Sequence, residues 1–131
     1  MLTALSVRAE RHDEAVGLLH ALLGAIGYTS WEEPSEVGLS TVFQQSAMSE
    51  SARIIVWTPA ESHGDFWSSC SLYFRAASLR ELEEAERAAT AMYAAQVRDI
   101  SRDREGVSRL EVFLPSFGHV ILEHDPRAQR R

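Results

Sequence analysis

Two neighbouring residues could do chemistry together. Glu123 and His124 close the stretch "FLPSFGHVILEHDP", Phe113 to Pro126. A carboxylate beside an imidazole can hold a divalent metal or move a proton. The same pair also ends ordinary strands, where polar side chains reach water. Other reactive types are scattered. Ser, His and Asp all occur, but no serine sits in a nucleophile elbow. Cys70 is the sole cysteine, so there is no disulfide framework and no cysteine-based zinc site. In a strand it reads as a buried, inert thiol. No glycine-rich phosphate loop is present. His12 and His20 read as solvated residues of a helix, and His63 as part of a surface loop, "ESHGDFW".

Whatever these residues do, strands and helices must position them. "LTALSVRA" alternates as a strand does. From His12 to Ile26, Ala15, Leu18, Leu19, Leu22, Leu23 and Ile26 recur at helical spacing, and Gly27 stops the helix. Strands are predicted at Tyr28–Glu33, Val37–Gln45 and Ala52–Thr58. After the loop "PAESHGDFWSS" the order repeats. "CSLYFRAA" is a strand. Ser78 caps a helix, with Glu81 completing a capping box and Leu79, Leu82, Ala85, Ala89, Met92 and Tyr93 on one face. "QVRDIS", "SRLEVFL" and "HVILEH" follow as strands. The pattern strand–helix–strand–strand–strand therefore occurs twice. Such an internal repeat outranks element-by-element reading. We place the modules at 1–58 and 69–125, joined by a linker at 59–68 and followed by a basic tail at 126–131. Neither module buries its sheet alone, so both form one α+β domain.

Composition narrows the class of function. The chain has 131 residues, of which 45% are hydrophobic and 24% charged, enough for one compact domain. Its net charge of −6 argues against nucleic acid as a partner. No apolar run approaches the roughly 18 residues of a membrane span, and the start "MLTALSVRAERHDE" lacks the marks of a signal peptide. A reducing cytoplasm is the expected location. All 13 basic residues are arginine, which reads as coding bias before chemistry.

The motifs resemble the vicinal oxygen chelate superfamily, which includes glyoxalases, extradiol dioxygenases and bleomycin-resistance proteins. "SLYFRAASLREL" is similar to the opening of that family's second module, "AVGLLHALLG" to its first-module helix, and "PSFGHVILE" to its closing segment. The likeness runs from Leu2 to Glu123. It implies two tandem βαβββ modules forming a cupped mixed sheet with a central cavity. It also implies a homodimer, since relatives commonly place their sites between chains.

The resemblance further implies four metal ligands, one from each of four strands. Here the first-strand slots fall on Leu2 and Ser71, and the last-strand slot of the first module falls near Val56 or Trp57. None is a ligand of the expected type. Counting four residues from Gly118 puts the remaining slot on Leu122, with Glu123 one residue late. One residue late means the opposite face, unless a bulge at Gly118–His119 restores it. One carboxylate does not make a site, so no metal and no cofactor are expected.

What remains is a cavity without a metal. Alternation directs Ala4, Ser6, Ser71, Tyr73 and Arg75 toward it, and Leu5, Val7, Leu72 and Phe74 toward the helices. Leu122, His124 and either Val56 or Trp57 are expected to join the lining, with Trp31, Phe43, Phe66 and Trp67 as walls or rim. Flat aromatic surfaces with a few polar groups suit a planar small molecule. Glu61 and Asp65 near the rim would favour a cation. Each aromatic also has a plain role as core filling.

Three functions fit. The first is a metal-free protein that sequesters an aromatic or cationic antibiotic-like compound. The second is a metal-independent enzyme of specialised metabolism, a cyclase or isomerase using Tyr73, Arg75 or His124. The third is a metal-dependent lyase or dioxygenase with unorthodox ligands. The missing ligands, the acidity and the aromatic supply favour the first.

Overall fold

The structure is a computed structural model that describes residues 4–9, 11–33, 38–45, 53–59, 70–114 and 117–127. Two βαβββ modules make an α+β fold. The first runs β1 (Ala4–Arg8), α1 (His12–Gly24), β2 (Tyr28–Glu33), β3 (Gly38–Gln45) and β4 (Arg53–Pro59). The second runs β5 (Cys70–Arg75), α2 (Leu79–Tyr93), β6 (Val97–Arg102), β7 (Ser108–Leu114) and β8 (Gly118–His124). Except for Pro59, the expected linker lies outside the described residues, as does the tail beyond Arg127.

Each module builds its own four-stranded sheet, ordered β1-β4-β3-β2 and β5-β8-β7-β6. In each, the first strand runs parallel to the last, and the two hairpin pairs are antiparallel. A parallel pair needs a long crossover, and the helix supplies it.

Local chemistry explains the helix ends. The Ser78 hydroxyl accepts from the Glu81 N–H at 3.2 Å, while Glu81 Oε1 accepts from the Ala77 N–H at 3.0 Å. That satisfies donors the first turn leaves open. Helix α1 stops where Gly27 takes a φ of +89°, a conformation that suits glycine.

One core joins the modules. Leu18 and Leu22 of α1, Leu82 and Ala89 of α2, and Phe43, Val56, Leu72, Val120 and Leu122 of the sheets share a single buried cluster. The helices touch closely at Gly17, where the Tyr93 hydroxyl donates to the Glu14 carbonyl at 3.2 Å. Tyr28 and Phe74 meet edge to face across the modules, their ring centres 5.8 Å apart.

Two expectations for the helices need correction. His12 is not simply solvated: its Nε2 lies 2.8 Å from Thr41 Oγ1. His20, although exposed, lies 2.7 Å from Ser30 Oγ and packs edge-on to Phe43. Both imidazoles tie α1 to its own sheet. Met92, assigned to the apolar face of α2, is 56% exposed, because α2 turns its Leu82, Ala85 and Ala89 stripe inward and Met92 falls at its edge.

Candidate functional site

Strand alternation gives each sheet a helix face and an outer face. In the second module Leu72 and Phe74 stand in register with Val120 and Leu122 and pack on the helices. The outer face therefore carries Ser71, Tyr73 and Arg75 of β5, His119, Ile121 and Glu123 of β8, and Arg109, Glu111 and Phe113 of β7. Tyr73 is 66% exposed and Phe113 55%. Between them Ile121 is buried, although it stands outside the core cluster. The Phe113 and His119 rings meet edge to face with centres 6.4 Å apart.

Glu123 faces outward, and no bulge is needed to bring it there. The β7–β8 register runs unbroken from Leu114 opposite Gly118 to Ser108 opposite His124. The one shift in this sheet lies in β6, between Arg98 and Ser101. Several expected positions change as a result. Leu122 is fully buried on the helix face, not a cavity wall. His124 shares that side of the strand, with its Nδ1 3.4 Å from the Ala76 carbonyl, so it does not guard an outer mouth. Phe43 is core, 1% exposed, and Val56 is core as well. Neither a count from Gly118, nor a family slot, nor residue type alone reports which face the helices cover. The apolar side chains on these strands settle which face meets the helices.

In the first module, Trp31, Val42 and Ile55 share one rung of the outer face. Trp31, 36% exposed, donates from Nε1 to Glu33 at 3.1 Å. The Arg53 guanidinium lies 5.7 Å from its ring centre, while Arg53 Nε is buried with no hydrogen-bond partner among the described residues. Ser6 pairs with Ile55 and Trp57 with Ser40 in register, but their side chains lie outside the described part, and Trp67, Phe66, Glu61 and Asp65 lie wholly outside it. Ser71, Tyr73 and Arg75 thus gather on one sheet and Trp31 on the other.

Electrostatics decide what Glu123 can hold. Arg109 Nε donates to Glu123 Oε1 at 2.6 Å, and Arg109 Nη1 donates to Asp103 Oδ2 at 3.2 Å. These bonds, the one to Glu123 foremost, push the Arg109 guanidinium above its ordinary range. Asp103 is raised by partial desolvation, but the N–H groups of Val107 and Glu105 and the Arg109 charge outweigh this and hold its carboxyl below the usual value. Arg75 stands in register on the other side of Glu123. It is exposed at the strand end and lines a cavity of about 320 Å³ at the module junction, with Ile26, Gln45, Glu81 and Asp125. Asp125 is held low mainly by the hydrogen bond from Arg127, with a smaller contribution from Arg75.

The residues present do not fit the metal that the sequence resemblance implies. The place of Glu123 in the second module belongs to Trp57 in the first, since Arg8 and Arg75 each stand three residues before a helix cap and pair with those positions. A tryptophan, a serine and one carboxylate gripped by arginine are a poor donor set for a divalent ion. Among the described residues no three His, Cys, Asp or Glu side chains are grouped to hold one. None of them lies in a helix long and apolar enough to cross a membrane.

Sequence reasoning missed Arg109, Phe113, Ile121 and Arg53 as outer-face residues. A signal existed for Phe113. In "SRLEVFL" the residues Leu110, Val112 and Leu114 alternate inward, which leaves a large aromatic facing out.

No family model matches the sequence, and no curated protein matches it significantly. Solved structures do match in shape. A glyoxalase/bleomycin resistance protein from Albidiferax ferrireducens T118 superposes with a TM-score of 0.66 at 16% identity, over 95% of this chain and 98% of that one. TioX from Micromonospora sp. ML1 gives 0.65 at 11% identity, over 95% and 98%. The fosfomycin resistance protein FosX from Listeria monocytogenes gives 0.67 at 10% identity, over 100% and 98%. At these identities the likeness establishes the fold, one shared with glyoxalase/bleomycin resistance and fosfomycin resistance structures, and leaves function to the residues.

Proposed function

We propose that this protein binds an aromatic small molecule on the outer faces of its sheets, without a metal, and sequesters it unchanged in the cytoplasm as a self-resistance protein does. The observation that carries the reading is the pairing of Arg109 with Glu123. It occupies the carboxylate nearest the expected ligand slot and leaves a face of exposed rings, Tyr73 and Phe113, beside it. Rings stack on rings, and an exposed aromatic pair is ready area for a planar ligand. Of the expected aromatic or cationic ligand, the aromatic alternative is favoured, because Arg53, Arg75 and Arg109 all stand on the outer faces. Solved structures of the same fold include proteins named for fosfomycin and bleomycin resistance. A second copy of the chain would cover these faces, so the functional unit in this reading is a homodimer.

A metal-independent cyclase or isomerase is the second reading, with Tyr73 and Arg75 as the polar catalysts. His124 leaves that list because its ring turns to the Ala76 carbonyl. The test is a titration of the full chain with a panel of aromatic antibiotics. Tryptophan fluorescence follows binding, and mass spectrometry follows the compound recovered. Saturable quenching with the compound returned intact supports sequestration. Conversion that Tyr73→Phe abolishes while binding persists supports the enzyme. No saturable binding by any member overturns both for this ligand class.

A further inference from the structure

A cleft of about 540 Å³ opens between α2 and the β6–β7 hairpin, on the helix side of the second sheet and away from the outer face of Tyr73 and Glu123. Its lining has a consistent chemistry. Leu79, Glu83 and Glu86 recur at i, i+4 and i+7, so one face of α2 forms one wall. The bulged strand β6 contributes Asp99, Ile100 and Arg102, and Ser108 of β7 lies at the back. Leu79 and Ile100 pack on the core and make an apolar floor. Three carboxylates stand against one guanidinium.

Two features separate this cleft from a chance acidic patch. Glu86 is fixed in place, since its Oε2 accepts from the Ile100 N–H at 3.0 Å, within the bulge. Ser108 is only 2% exposed and lines the cleft, yet its hydroxyl has no hydrogen-bond partner among the described residues. Its oxygen is not among the buried polar atoms left without a partner, so it reaches the cleft and is open to a group that enters there. Glu83 and Asp99 likewise carry no side-chain hydrogen bond or ion pair among the described residues.

We infer that the cleft binds a small organic cation, a primary amine carrying a short apolar body. The ammonium offers three N–H donors, matched by the Ser108 oxygen and the free carboxylates of Glu83 and Asp99. The body lies on Leu79 and Ile100. The volume falls within the usual range of ligand pockets, about 300–1,000 Å³.

The test is an amide-resonance NMR titration of the full chain with phenethylamine, 2-phenylethanol and phenylacetate. Phenethylamine should shift the amides of Glu83, Ile100 and Ser108 to saturation and bind about tenfold more tightly than the neutral alcohol. Phenylacetate should bind more weakly still. Glu83→Gln and Asp99→Asn should each weaken the amine several-fold, and added salt should do the same. Both residues are exposed, so these variants carry the test even if Ser108→Ala fails to fold. Equal binding of amine and alcohol, an absence of saturation, or shifts that cluster on the Tyr73 face would each overturn the assignment.

Discussion

Arg109 Nε and Glu123 Oε1 stand 2.6 Å apart across β7 and β8, and Arg75 holds the register position on the far side of Glu123. A carboxylate bonded to a guanidinium is already neutralised, and a divalent cation brought there would meet the repulsion of Arg109.

Metal addition should therefore leave the protein unchanged. A ligand that binds the native state raises the melting temperature in proportion to the logarithm of its concentration over Kd. Millimolar Mn²⁺, Ni²⁺ or Zn²⁺ added to metal-stripped protein should produce no such rise. A stoichiometric metal in the purified protein, or a rise that Glu123→Gln removes, would restore a metal centre to consideration.

The two faces of the second sheet differ in what they contribute to stability. Leu122 is fully buried against the helices, so Leu122→Ala should cost about 2–5 kcal/mol. Tyr73 is mostly exposed, so Tyr73→Ala should stay within about 0.5 kcal/mol while weakening aromatic ligands. Urea denaturation measures both. The reverse order would mean that the faces have been exchanged.

Gly17 and Tyr93 should show coupling of opposite signs. A Cβ added at Gly17 would lie 3.1 Å from the Tyr93 hydroxyl and 3.2 Å from Met92 Cε. Met92 is exposed and can swing away, whereas Tyr93 is tied to the Glu14 carbonyl. Gly17→Ala should thus destabilise the wild type by about 1 kcal/mol. In the Tyr93→Phe background the obstacle is gone, and the better helix propensity of alanine should stabilise by up to about 1 kcal/mol. Chemical denaturation of the four proteins measures the cycle, and equal effects in both backgrounds would show that the hydroxyl does not hold the helices apart.

Acid should loosen the β6–β7 turn through Asp103. Its carboxyl sits below the ordinary value in the native state, because hydrogen bonds from Val107, Glu105 and Arg109 outweigh desolvation. A depressed native pKa means that the charged form is favoured on folding. Its stabilisation is complete above the unfolded-chain value, about 4, and is lost as the pH falls below that. Asp103→Asn should flatten the fall in melting temperature below about pH 4. The flattening is partial, since Asp125 behaves the same way through Arg127. An unchanged acid limb would show that Asp103 does not titrate with folding.

Much of the fold was legible in the chain. The helical spacing of Ala15 to Ile26, the Ser78–Glu81 cap and the alternation of "SRLEVFL" are local signals, and the structure realises each within a residue or two. The repeat of those signals indicated two modules. The outer face was legible only in part. Ser71, Tyr73 and Arg75 share the side that local alternation within β5 assigned them. Leu122, His124 and Phe43 did not follow, because each was placed by counting from a turn or by residue type, and neither reports which side of a strand a helix covers.

By itself, then, the sequence determined the elements, their order and their duplication, because propensity, capping and periodicity act over a few residues. Tertiary structure alone decided that Glu123 pairs with Arg109, that Leu122 is core, and that a serine hydroxyl shares a cleft with three carboxylates. Those relations join strands and helices far apart in the chain. They depend on which side of each sheet the helices bury, a choice made by the packing of the whole core.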